Sequence, residues 1–142
     1  MKKLSMLFAV VLCICMLLTA AVSAQNVVKI GVFEPASGDS GAGGKQEMLG
    51  MQYANYETPT VEINGVTYEV QLVYADNGSS TDKAPSAAQQ LVSSGVSVVL
   101  GSYGSGVSIA GSQYFADANI AAIGASCTNP QVTAGNDHYF RI

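Results

Sequence analysis

The chain has 142 residues, a formal net charge of −4 from six basic and ten acidic residues, and an apolar fraction of 49%. Its bases form no cluster, which argues against nucleic acid or an anionic membrane surface as a partner. The length left after any leader suffices for one modest apolar core and no more.

The first 24 residues bear on the compartment. Lys2 and Lys3 precede an almost unbroken apolar run from Leu4 to Val22, and Val22-Ser23-Ala24 places small residues before Gln25. That order predicts a secretory signal peptide over 1–24 and a periplasmic or extracellular destination. A membrane anchor competes, because the run approaches the ~20 residues of a bilayer span. Cys13 and Cys15 lie inside the apolar run and not after a small-residue motif, which argues against a lipid-anchored cysteine. Residues 25–142 then hold Lys29, Lys45, Lys83 and Arg141 against all ten acids, a net charge of −6. They keep only Cys127, so an internal disulfide is excluded.

Strand and helix signals alternate from there. Val27 to Phe33 is a β-branched run suited to a buried strand. A Gly/Ser loop over 37–44 leads to a helix over 45–57, with Leu49, Tyr53 and Tyr56 as its apolar stripe and Pro59 as its stop. Asn64-Gly65 predicts a tight turn between 61–63 and 66–68. A second core strand runs from Tyr68 to Ala75. A helix follows, capped by Ser79, Ser80 or Thr81, with Ala84, Ala88, Leu91 and Val92 on one face and Gly95 closing it. Val96 to Leu100 is a third strand. A third helix covers 105–117 with the stripe Val107, Ala110 and Tyr114. Ile120 to Ile123 and 138–142 complete the strands.

This alternation predicts an α/β fold, a parallel sheet with helices on both faces. Ligands of such sheets bind outside the carboxyl ends of the strands. Three loops rich in Gly, Ser and Thr fall there, over 36–44, 101–106 and 124–130. In the second, Ser102 and Ser105 offer hydroxyls and Tyr103 a phenol. Ser105 opens a helix, where a hydroxyl and free N–H groups receive a carboxylate, although an N-cap is the commoner use of such a serine. In the third, the Ser126 carbonyl suits an ammonium group and the Thr128 hydroxyl either end of a zwitterion. A local turn before Pro130 is the competing account of that loop.

Nothing in the pattern announces chemistry. Gly44-Lys45 would close a phosphate loop, but Asp39 and Gln46 stand where that motif needs Gly and Ser or Thr. No G-x-S-x-G elbow occurs. His138 is the sole histidine, and Cys127 reads as a small buried residue. No cluster has metal-ligand spacing, so neither enzyme activity nor a cofactor is expected. Asp76 ends a strand, where a loop-bonding role and a catalytic one are equally open.

These segments resemble the branched-chain amino-acid-binding proteins of ABC transporters. The resemblance is carried by Val28-Lys29-Ile30-Gly31-Val32 with Ser37-Gly38, and by Asn64-Gly65 before a strand ending in Asp76. It continues with Val98-Val99-Leu100-Gly101 and Ser105, Ile123 to Thr133, and Tyr139-Phe140-Arg141. It implies a type I periplasmic binding fold, of which 25–142 is part of the first lobe. It further implies an amino-acid-like ligand, with Ser105 as hydroxyl donor, the Ser126 carbonyl taking the ammonium, and Thr128 touching both charged ends. The implied partner is an ABC permease; the alternative is the ligand-sensing ectodomain of a receptor. Such proteins often place an aromatic residue in the first loop. Here the loop reads Gly41-Ala42-Gly43-Gly44, which implies a differently walled pocket.

Overall fold

The computed structural model describes residues 26–142, and the expected signal segment lies outside them. Six strands form one sheet: β1 (Val27–Glu34), β2 (Thr60–Ile63), β3 (Val66–Asp76), β4 (Val98–Leu100), β5 (Ala121–Gly124) and β6 (Tyr139–Arg141). Three α-helices connect them: α1 (Gly41–Glu57), α2 (Ala84–Ser93) and α3 (Ser105–Asp117). The strand order is β2-β3-β1-β4-β5-β6, parallel throughout except for β2, which returns antiparallel along β3. The predicted hairpin between them turns on Asn64 and Gly65, both at positive φ (52° and 78°).

The order turns around at β1. β1 pairs with β3 on one side, from Val27 opposite Glu69 to Glu34 opposite Asp76, and with β4 on the other. The connections leaving β1 and β4 therefore diverge, and their loops open a crevice at the carboxyl ends of the sheet.

Alternation along β1 assigns the two faces. Gly31 and Phe33 point to α2 and α3; a Cβ on Gly31 would meet Val99, Leu91 and Val96 at 3.0–3.3 Å. On that side Phe33, Leu91, Val99 and Phe115 are fully buried. The Phe33 and Phe115 rings meet edge to face, with centroids 5.3 Å apart. α1 lies on the other face, where Ile30, Val70, Leu72 and Leu100 line a shallow apolar cleft with Met51 and Ala54.

Three expectations change. α1 starts at Gly41, four residues before the expected Lys45, because Gly41 and Gly44 form its buried edge. A Cβ on Gly44 would sit 2.3 Å from the Pro35 carbonyl oxygen, so only glycine permits this approach. The stripe Leu49, Tyr53 and Tyr56 consequently turns outward, at 62%, 65% and 79% exposure. In α3 the buried residues are Val107, Ser108, Gly111 and Phe115; of the expected stripe Ala110 packs half-buried against the core, and Tyr114 turns outward. Gly111 admits the Phe33 ring, whose nearest carbon would lie 2.6 Å from a Cβ there. α2 has Lys83 at its N-cap with no side-chain cap; Ser79 bonds to the loop after β1 instead, donating to the Ser37 carbonyl and accepting from the Ser40 N–H.

Candidate functional site

The loops after β1, β4 and β5 converge at the crevice. Tyr103, Gly104, Ser105, Ser126 and Thr128 line a cleft of about 370 Å³ there. Four of the residues singled out from the sequence, Ser105, Ser126, Thr128 and Tyr103, thus share one cleft, although two loops contribute them.

Ser105 is the first residue of α3, and Gly104 occupies the N-cap position at φ 130°. The hydroxyl of Ser105 is therefore not a cap. It accepts the Asn129 N–H at 3.1 Å, tying the loop after β5 to the start of α3. A hydroxyl that accepts through one lone pair still has its own O–H to give. Ser105 can therefore donate into the cleft while it holds the neighbouring loop. The free N–H groups of the first turn of α3 add a partial positive charge on the same wall.

In the loop after β5, Cys127 points into the core as expected, and Ser126 and Thr128 flank it on the cleft side. The Ser126 Oγ is buried with no hydrogen-bond partner among the described residues. The Thr128 carbonyl accepts from Arg141 at 3.2 Å, and the Asn129 side chain accepts the Gln131 N–H at 2.9 Å to start a short 3-10 turn over Pro130–Val132. The loop is thus both a cleft wall and a local turn.

The loop after β4 is held from below. Ser102, offered by the sequence as a cleft hydroxyl, is fully buried. Its Oγ accepts from Asn77 at 2.9 Å, and Asn77 also donates to the Phe33 carbonyl at 3.2 Å. The Ser102 N–H donates to Ser108 Oγ at 3.3 Å, while Ser108 donates to the Gly104 carbonyl at 3.1 Å. Tyr139 donates its phenol to the Gly101 carbonyl; burial holds that phenol above its ordinary pKa. Glu34 accepts the Tyr103 N–H at 2.7 Å. Gly101 stands at φ 114°, where a Cβ would lie 2.4 Å from the Phe33 carbonyl and 2.5 Å from Glu34 Oε1.

Sequence reasoning missed Asn77, Ser108, Glu34 and Tyr139. The signal that could have found Glu34 is a charged residue directly after the apolar run Ile30 to Phe33.

Tyr103 supplies the aromatic surface that the first loop lacks. Its ring packs on Gly43, where a Cβ would come within 2.6 Å of it. Only a residue without a side chain at position 43 leaves room for it.

Asp76 bonds to the loop after β1. It accepts from Ala36 and Gly78 N–H groups at 2.8 Å and from Ser37 Oγ at 2.7 Å. Slight burial raises its pKa, but these donors outweigh it and hold the carboxyl below its ordinary range. Among the described residues no group of His, Cys, Asp and Glu could hold a metal ion, and no helix is long and apolar enough to cross a membrane.

Comparison with known proteins fits this geometry. A family model described as periplasmic binding protein matches residues 27–142. The chain belongs to the periplasmic binding protein family. A Leu/Ile/Val-binding protein homolog of Brucella abortus is 31% identical over 122 residues, covering 85% of this chain and 32% of that protein. A leucine-binding protein of Thermotoga maritima superposes with a TM-score of 0.74 at 31% identity, over 82% of this chain and 32% of that one. A branched-chain amino-acid substrate-binding protein of Streptococcus pneumoniae, solved with isoleucine, gives 0.72 at 31%, over 82% and 33%. The type I periplasmic binding fold expected from the sequence is thereby established for this partial lobe, and the chain spans about a third of the length of these relatives.

Proposed function

We propose that residues 25–142 form the first-lobe half of an extracytoplasmic binding site for an amino acid or a related small amide, delivered to an ABC permease. The observation that carries this reading is the cleft itself. It gathers Tyr103, Gly104, Ser105, Ser126 and Thr128 around a space of about 370 Å³.

Each group has work to do with a zwitterion. The carboxylate takes the Ser105 O–H and the positive end of α3, a charge-assisted arrangement. The ammonium takes the Ser126 carbonyl, and the Thr128 hydroxyl reaches both ends. Tyr103 offers its ring to the ligand side chain. The relatives named for Leu/Ile/Val binding and the neighbour solved with isoleucine support a branched aliphatic side chain. The reading assigns no catalysis and no cofactor. It places the protein outside the cytoplasm, in keeping with the leader expected over 1–24.

Calorimetry on the intact protein with a panel of amino acids tests it. An aliphatic amino acid should bind, and Ser105→Ala and Thr128→Ala should each weaken binding by roughly 10- to 100-fold, the usual loss for a hydrogen bond to a charged group. Unchanged affinity in both variants would sink the site.

A further inference from the structure

Glu34 ends β1 with only 1% of its surface exposed. One oxygen accepts the Tyr103 N–H. The other, Oε1, is buried against Gly101 and has no donor within reach among the described residues. The Glu47 carboxyl of α1 lies within reach of the Glu34 carboxyl, and its own Oε2 is likewise buried without a hydrogen-bond partner among the described residues. Two ionised carboxylates in contact repel, whereas one proton between them turns the contact into a hydrogen bond.

We infer that Glu34 and Glu47 share a single proton in a buried carboxyl pair that positions Tyr103 on the wall of the ligand cleft. The ligand half of this inference rests on the binding function proposed above. The surroundings leave the proton as the one available counter-charge. Glu34 is faced by Glu47 from α1, by Asp76 opposite it on β3, by the loop carrying Tyr103, and by Tyr139 from β6; none brings a positive charge. Burial, reinforced by Glu47, pushes the Glu34 carboxyl up to about 9, against the opposing pull of the Tyr103 N–H.

The pair sits where it can act on the cleft. Glu34 fixes the backbone of Tyr103, and Gly43, on the same helix as Glu47, bears its ring. Tyr103 is thus held jointly by β1 and α1, which the shared proton joins. Removing that proton puts two buried negative charges face to face, drives α1 from β1 and loosens Tyr103. Glu34 and Glu47 are positioning residues in this scheme and touch no ligand.

The test follows the Tyr103 amide by NMR and the carboxylic-acid carbonyl stretch by infrared, between pH 6 and 10 in the intact protein. The inference expects a protonated carboxyl that persists past pH 7, with the Tyr103 amide shifting as it titrates. Isoleucine affinity should fall at least tenfold over the same range. Glu47→Gln supplies a neutral donor, so it should keep isoleucine affinity at pH 7 and abolish both titrations above that pH. Glu34→Gln, which still accepts from Tyr103, should do likewise. A wild-type protein with no carboxyl still protonated above pH 6 overturns the inference without need of any variant, as does a Tyr103 amide unmoved between pH 6 and 10. A protein that binds no amino acid, yet shows the amide titration and its loss in Glu47→Gln, supports the pair and contradicts the binding function.

Discussion

The loops after β4 and β5 stand on neighbouring strand ends and form one cleft, yet they are built differently. The first rests on a buried polar network of Asn77, Ser102, Ser108 and Glu34, reaching from β1, the β3 end and α3. The second hangs from two more exposed bonds, Asn129 to Ser105 and Arg141 to the Thr128 carbonyl. Buried bonds are costly to leave unmade and exposed ones are replaced by water. The comparison therefore separates a rigid wall, which sets Tyr103 and Ser105, from an adjustable wall that carries Ser126 and Thr128.

The largest break in that contrast comes from Gly101→Ala. A Cβ forced between the Phe33 carbonyl and Glu34, at a φ that disfavours any side chain, should cost roughly 3 kcal/mol or more and lower the thermal midpoint clearly. Next is Asn77→Ala, which strands the Phe33 carbonyl and removes the Ser102 partner. Chemical denaturation should show a loss of about 1–3 kcal/mol, and a loss within 0.5 would mean the network is not what holds the first wall.

Ser105→Ala sharpens the comparison. It should change stability by less than about 1 kcal/mol, while weakening amino-acid binding far more than Asn129→Ala, which keeps the backbone N–H that Ser105 accepts. Asp76→Asn should have a smaller, pH-dependent effect. The Asp76 carboxyl has a lower pKa folded than unfolded, so its stabilisation is present above its ordinary value of 3.8 and disappears as the pH falls through its folded value. Wild type should exceed the variant in stability at pH 7, and the two should converge in strong acid. Arg141→Ala should be the mildest, within about 0.5 kcal/mol by denaturation, because it removes a bond on the exposed wall.

Much of this was legible in the chain. The β-branched run over 27–33, Asn64-Gly65 and the face of α2 each carry their own local signal. So do the Gly/Ser loops at strand ends, which is why Ser105, Ser126, Thr128 and Tyr103 could be named before they were seen to converge. The outward turn of Leu49, Tyr53 and Tyr56 was not legible, because periodicity marks a helix without saying which side meets the sheet. There the close approach of Gly44 to Pro35 decides. The network under the cleft was hidden for another reason. Glu34 meets Tyr103 across 69 residues and Asn77 meets Phe33 across 44, and no local pattern encodes such pairings.

The most direct test of the central claim is calorimetric titration of isoleucine into the intact protein and its Ser105→Ala variant at pH 7. Saturable binding by the wild-type protein, weakened tenfold or more in a variant of equal stability, is the predicted result. Equal affinity in the two proteins would contradict it.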